Sequence, residues 1–227
     1  MSRRVTTSVV ALAVVVLAVC PRPLFANSFG IVGYSGIAGF ICTACHGGGT
    51  VPTVAFAGPR TLDSGATGTF TFTVKSNAPA SQVATGLDVA VSGGTLIAGE
   101  SDEQVLGDEL THTQPKANDS EGRAVWTFQW QAPPAPGTYT FFGAGNSVNL
   151  NTQNSGDNAA GTTLRVQVPG PSGDANCDGR ATAADLPGVL LAIGQSVGAS
   201  CPAADTNGDG RINADDIAGA IAAIFAQ

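Results

Sequence analysis

Hydrophobic and polar residues alternate with a period of two in several short runs between residues 51 and 168. The clearest sets are Phe70, Phe72 and Val74; Trp126, Phe128 and Trp130; and Leu164, Val166 and Val168, with shorter runs at 87–91 and 139–141. Alternate residues of a strand share a face, and turn residues separate these runs, so the pattern predicts an antiparallel β-sandwich. The polar segment 99–121 is predicted to be a long loop.

The pattern changes after the linker 169–173, which contains two prolines and two glycines. Residues 174–227 are rich in Ala and Asp and have apolar residues at helical spacing. The predicted fold is therefore mainly β, with the sandwich over 27–168 and a small α-helical module over 174–227.

The first 26 residues have the pattern of a secretory signal peptide: Arg3 and Arg4, an uncharged apolar run over 9–20, and a small residue, Ala26, before the expected cleavage point. An N-terminal anchor helix is the alternative. We expect a secreted, periplasmic or cell-surface bacterial protein with no membrane span after cleavage. The net charge of −7 disfavours a nucleic-acid partner, because phosphate contacts require clustered Lys and Arg.

Two segments 31 residues apart repeat one arrangement of oxygen-bearing side chains, with glycine at position 6 of each. Positions 1, 3, 5, 7, 9 and 12 are Asp174, Asn176, Asp178, Arg180, Thr182 and Asp185 in the first, and Asp205, Asn207, Asp209, Arg211, Asn213 and Asp216 in the second. Calcium takes six to eight oxygen ligands, and position 7 supplies a backbone carbonyl. The repeat predicts two EF-hand-type calcium loops holding two ions; solvated Asp-Gly turns are the alternative.

This repeat resembles a type I dockerin module over residues 174–227. The resemblance implies calcium-dependent folding and a cohesin-like or cell-surface protein as partner. Positions 10 and 11, Ala183-Ala184 and Ala214-Asp215, depart from the hydroxyl pair of cellulosomal dockerins. A calcium-stabilised terminal module and an accessory protein of polysaccharide degradation are alternatives to partner-directed assembly.

Two cysteines lie in or beside these loops. Cys177 is inside the first, and Cys201 lies four residues before the second. Pairing of the loops would bring the two together, and a module of about fifty residues is small for a core alone. We therefore predict a Cys177–Cys201 disulfide.

The segment Cys42-Thr43-Ala44-Cys45-His46 matches the attachment pattern for c-type haem, in which two thiols add to vinyl groups and the histidine binds iron. No methionine remains after cleavage, and His112 is the only other histidine. His46 and His112 are therefore the candidate axial pair. A Cys42–Cys45 disulfide, a zinc site, and a merely structural His112 in an exposed loop stay open.

Residues 30–168 resemble the choice-of-anchor V, Reeler-like bacterial domains. The shared residues are Tyr34, Ser35, Gly36 and Gly39 before the CxxCH; Thr111, His112 and Thr113; the 126–130 strand; and the runs 143–146 and 155–157. This implies an extracellular β-sandwich followed by an anchoring segment. No hydrolase motif is present. We predict a non-catalytic protein that carries c-type haem for electron transfer or redox sensing; the alternative is a haem-free adhesion or scaffold protein.

Overall fold

The computed structural model describes residues 27–197 and 201–226, and the predicted signal peptide lies outside these ranges. Within them the chain forms eleven strands: Gly47–Gly48 (β1), Thr53–Ala57 (β2), Thr67–Lys75 (β3), Ala84–Val91 (β4), Thr95–Ile97 (β5), Glu103–Leu106 (β6), Glu109–His112 (β7), Lys116–Ala117 (β8), Arg123–Gln131 (β9), Gly137–Val148 (β10) and Ser155–Val168 (β11). Two helices follow, Leu186–Ala192 (α1) and Asp215–Phe225 (α2).

The strands form two sheets that pack as a sandwich. One has seven strands in the order β1-β11-β10-β4-β7-β6, with β8 paired to β4, and the other has the order β2-β3-β9-β5. Every pairing is antiparallel except that of β1 with β11. The predicted mainly-β sandwich with a short helical C-terminal part is confirmed at this level.

Alternation along β3 and β9 builds the core. Phe70 faces Phe128, and Phe72 faces Trp126, across the two strands. These inward residues are fully buried, while the outward residues that alternate with them are half-buried or exposed. Complete burial of such a side chain contributes roughly 1.5–3 kcal/mol, so the aromatic strip of these strands dominates the sandwich core.

The loop predicted over 99–121 is wrong, because this segment contains β6, β7 and β8. Gly107, with φ +62°, opens the two-residue turn between β6 and β7, a position that suits glycine. Two acidic residues of this segment have structural contacts: Glu103 is buried, and Glu109 accepts the hydrogen bonds described below. Polar strands at a sheet edge lack the hydrophobic alternation that marks central strands.

The C-terminal part has its own small core, formed by Ala175, Val189, Ala192, Ala204, Ile212 and Ala220. A disulfide joins Cys177 and Cys201, whose Cα atoms are 5.7 Å apart, as predicted. Disulfides persist in oxidising compartments, so this bond is consistent with an extracellular protein. Across the described ranges, neither α1 nor α2 has the length and apolar character needed to cross a lipid bilayer.

Candidate functional site

The CxxCH segment lies on the outer face of the larger sheet. Cys42–Ala44 forms a 3-10 turn, closed by a bond from His46 N to Cys42 O at 3.0 Å. Ile41 packs over Gly161, where an added Cβ would lie 3.3 Å from the Ile41 side chain. The small residue at 161 therefore lets the turn lie close to β11.

Two acidic residues of the sheet hold the segment that precedes the CxxCH. Asp88, in β4, accepts a bond from the backbone N–H of Tyr34 at 2.8 Å. Glu109, in β7, accepts one from the Ser35 hydroxyl at 2.8 Å and another from Gly33 N–H. Because both acids belong to paired strands, the N-terminal segment is anchored to the rigid part of the fold.

His46 is oriented by the turn between β10 and β11. Its Nδ1 lies 3.0 Å from Oδ2 of Asp157, which is only 2% exposed. Asn154 donates its amide to the carbonyl of Cys45 at 2.8 Å, and its own carbonyl accepts from Gly47 N–H at 3.0 Å. With Nδ1 occupied, Nε2 is the ring nitrogen of His46 that can bind a metal ion.

His112 ends β7 and is buried, so it is not a histidine of an exposed loop. Its Nδ1 lies 3.2 Å from both the backbone N and O of Leu87, and its ring packs 6.1 Å from that of Trp126. Burial lowers the pKa of His112, and a charge on nearby His46 lowers it further, against the bond to Leu87. The imidazole is thus neutral at neutral pH, the form that binds metals.

One cleft brings the four predicted residues together. It is lined by Cys42, Cys45, His46 and His112. Its volume is about 1050 Å³ when the part open to solvent is included. Apolar lining comes from Ile31, Leu87, Val148 and Leu150. An apolar cleft with a few convergent polar groups is the usual form of a cofactor site.

The same cleft contains two buried acceptors without partners. Oδ1 of Asp88 and Oδ1 of Asn146 lack a hydrogen bond in the described part of the chain. Burial raises the pKa of Asp88 to about 7; the bond from Tyr34 opposes this, and the charge of Glu109 adds to it. Unpaired buried polar atoms are rare, so this wall of the cleft is suited to a bound group.

Cys42 and Cys45 are both free thiols, so the structure does not contain the alternative Cys42–Cys45 disulfide. Burial, assisted by the charge of Asp88, raises the pKa of the Cys42 thiol to about 12. In the described residues, no three His, Cys, Asp or Glu side chains are arranged to hold a metal ion.

The two predicted calcium loops have matching conformations. Asp174 accepts bonds from the N–H groups of Asp178 and Gly179, each at 2.9 Å, and Asp205 accepts equivalent bonds from Asp209 and Gly210. At position 12, Asp185 accepts hydrogen bonds from two backbone N–H groups of its own loop, and Asp216 accepts from three. The carboxylates at positions 1 and 12 thus accept hydrogen bonds from backbone donors of their own loop, and in the described residues they do not form a group of three acidic side chains arranged to hold a metal ion.

The carboxylates of the two loops have no cationic side chain as a partner among the described residues. Asp174, Asp185 and Asp216 are completely buried, and in the described ranges no ion pair involves a carboxylate of either loop. Burial raises the pKa of Asp174, and the charges of Asp185 and Asp178 raise it further, while backbone donors lower it. A cation bound among these oxygens would relieve the repulsion between the neighbouring carboxylates of a loop.

Sequence reasoning missed three residues of the cleft: Asp157, Asp88 and Gly86. Asp157 is 111 residues from the histidine that it contacts. Its only signal was its place beside a turn, in the Ser155-Gly156-Asp157 run. Nothing local distinguishes Asp88 or Gly86 from other residues of a strand.

Neither a protein-family model nor a curated protein matches the sequence significantly. Solved structures similar to 52% of the chain include a CARDB domain from Pyrococcus furiosus in complex with di-metal ions, with 18% identity, a TM-score of 0.31 and 93% of that chain covered. A solution NMR structure of that domain is 21% identical to the chain, with a TM-score of 0.30 and 93% of that domain covered. A cohesin module from a Clostridium perfringens family 33 glycoside hydrolase is 7% identical, with a TM-score of 0.35 and 97% of that module covered.

Proposed function

We propose that this protein is an extracellular c-type haem carrier whose C-terminal module binds calcium. The carrying observation is the shared cleft: both thiols of the CxxCH line it together with two histidines. Each histidine has Nδ1 occupied by a protein group, His46 by Asp157 and His112 by Leu87, which leaves Nε2 for a metal ion. The donor set therefore fits a haem that His46 and His112 would hold through Nε2.

Cys42 and Cys45 would hold the porphyrin covalently through two thioether bonds. Each bond would correspond to the net addition of one S–H across one vinyl C=C bond, with no leaving group. Free thiols are the reactants that this addition requires, and both cysteines are free. When bound, haem iron supplies a one-electron couple for electron transfer or redox sensing.

The rest of the cleft contributes position and environment. The neutral imidazole of His112 is held by Leu87 and packed against Trp126, which fixes its direction. Leu87, Val148 and Leu150 give the cleft an apolar lining. A low local polarity favours the iron state of lower charge, so these apolar residues would raise the reduction potential.

The test is expression of the full chain with a cytochrome c maturation system. We expect a covalent haem mass that survives denaturation, and a low-spin absorption spectrum in both oxidation states. A Cys42→Ser, Cys45→Ser double variant should lose the mass. A His112→Ala variant should keep the mass but give a high-spin ferric spectrum and bind CO once reduced. Wild-type protein without covalent haem would overturn the proposal.

A haem-free adhesion or scaffold module is the second candidate. The observation in its favour is that the sandwich core closes without any cofactor, since its central aromatic residues are fully buried. Protein matured with haem available but carrying two free thiols or a Cys42–Cys45 disulfide would support this candidate.

The C-terminal module is proposed to bind two calcium ions through its loops and to dock on a cohesin-like or cell-surface protein. Its helices leave Leu190, Leu191 and Phe225 between 59% and 83% exposed. Large apolar side chains at such exposure are typical of a surface that a partner covers. Calcium-dependent retention on a cohesin column, lost in a Leu191→Asp variant, tests the docking.

A further inference from the structure

We propose that Asp157 is a positioning residue that fixes the ring tautomer of His46 and sets the reduction potential of the site. The inference rests on the proposed haem attachment and extends it to a residue outside the CxxCH. It follows from one contact, Oδ2 of Asp157 to Nδ1 of His46 at 3.0 Å, and from the rigidity of the structure around that contact.

Both oxygens of Asp157 are already committed within the protein. Oδ2 faces His46, and Oδ1 accepts the backbone N–H of Asn149 at 2.8 Å. The carboxylate is 2% exposed, so water competes little for either position. In this contact we assign Nδ1 of His46 as the donor and Oδ2 of Asp157 as the acceptor, which leaves the lone pair of the ring on Nε2.

The backbone on both sides holds this pair in place. β1 begins at Gly47, the residue after His46, and pairs with β11 so that Gly48 is opposite Asp157. Gly49 N–H donates to the Asp157 carbonyl at 3.0 Å. Two adjacent strand segments therefore carry the histidine and its carboxylate, which limits the freedom of the ring more than a loop contact would.

A carboxylate hydrogen-bonded to a ligand imidazole makes the ring a stronger electron donor and adds negative charge near the metal. Both effects favour the ferric state, so Asp157 should lower the reduction potential. They act against the apolar lining of the cleft, which raises it. Asp157 would therefore determine the electron-transfer partners with which the protein can exchange electrons.

The experiment uses the full chain and has two readouts, the ring tautomer of His46 and the midpoint potential of the haem-loaded protein. In haem-free protein labelled with ¹⁵N at histidine, long-range ¹H–¹⁵N spectra should show His46 protonated at Nδ1. Asp157→Ala should shift the ring to the Nε2–H form. In haem-loaded protein, Asp157→Asn should have a more positive midpoint potential than wild type. Asp157→Glu, which keeps a carboxylate, should have a potential between those of Asp157→Asn and wild type. Asp63→Asn, an exposed acid outside the cleft, is the matched control and should change neither reading.

An unchanged tautomer together with an unchanged potential would overturn the inference. If a variant does not mature with haem, the tautomer reading on haem-free protein decides. Wild-type protein that takes no haem would overturn the proposed function and the effect on potential, whereas the tautomer comparison would still decide whether Asp157 orients His46.

Discussion

The imidazole of His112 lies directly on the backbone of Gly86. A Cβ added to Gly86 would be 2.6 Å from Cε1 of His112 and 3.1 Å from both ring nitrogens. Gly86 belongs to β4, whose neighbour β10 pairs with it through Asn146. Because the strand is held in the sheet, any side chain at residue 86 must displace the ring and not the backbone.

Gly86→Ala should therefore move His112 and impair its approach to a metal ion. We expect the haem-loaded variant to show a high-spin ferric component that wild type lacks, and the haem-free variant to lose about 1–3 kcal/mol of unfolding free energy through overpacking. Absorption spectra and urea unfolding measure the two effects. Gly68→Ala in β3 is the control, since the atoms nearest to its added Cβ belong to Leu62 and Phe70, which do not line the cleft. Equal low-spin spectra in all three proteins would contradict the prediction.

Calcium should stabilise the C-terminal module. At a free concentration about 100 times the dissociation constant, mass action contributes about 2.7 kcal/mol for each site. We expect EDTA to lower the melting temperature of the helical circular-dichroism signal, and Asp174→Ala and Asp205→Ala each to weaken calcium binding measured by calorimetry. Asp63→Ala is the control. Identical melts in calcium and in EDTA would show that the loops do not bind calcium.

The disulfide should contribute to the same module independently. Cys177 and Cys201 are 24 residues apart, and closing a loop of that length stabilises by about 3 kcal/mol in the chain-entropy account. A Cys177→Ser, Cys201→Ser double variant should lose about that amount in chemical unfolding followed by the helical signal. In haem-free protein, the Cys42→Ser, Cys45→Ser variant should leave that transition in place. A transition unaffected by loss of the disulfide would contradict the estimate.

The strands with strong alternation were predictable from the sequence. Phe70 and Phe72 in β3, and Trp126 and Phe128 in β9, follow a two-residue hydrophobic period that is typical of a half-buried strand. The polar strands β6 and β7 were not predictable, since backbone pairing at a sheet edge stabilises them without that period.

The residues of the cleft also fall into two groups, those that the sequence could predict and those that it could not. A CxxCH and a single further histidine are visible in the sequence, so Cys42, Cys45, His46 and His112 could be chosen together. Asp157 and Gly86 could not, because their roles depend on which strands become neighbours. Such tertiary pairing leaves no local pattern in a single sequence.

Asp88 gives the protein a pH dependence that a single substitution should remove. Its pKa in the folded chain is about 7, mainly because of burial, against about 3.9 in an unfolded chain. Between these values the folded state holds a proton that the unfolded state has lost. Stability therefore falls as the pH rises from about 4 to 7, and the loss is complete above about 7.

Asp88→Asn should abolish this loss in haem-free protein. The amide oxygen can still accept from Tyr34 N–H, so this contact persists while the buried charge is removed. We expect the variant to exceed wild type by about 1–3 kcal/mol near pH ~8 and to approach it near pH ~4, measured by urea unfolding across that range. Asp63→Asn should follow the wild-type curve. Parallel curves for Asp88→Asn and wild type would mean that Asp88 is ionised in the folded protein throughout, and that the cleft is better solvated than its geometry indicates.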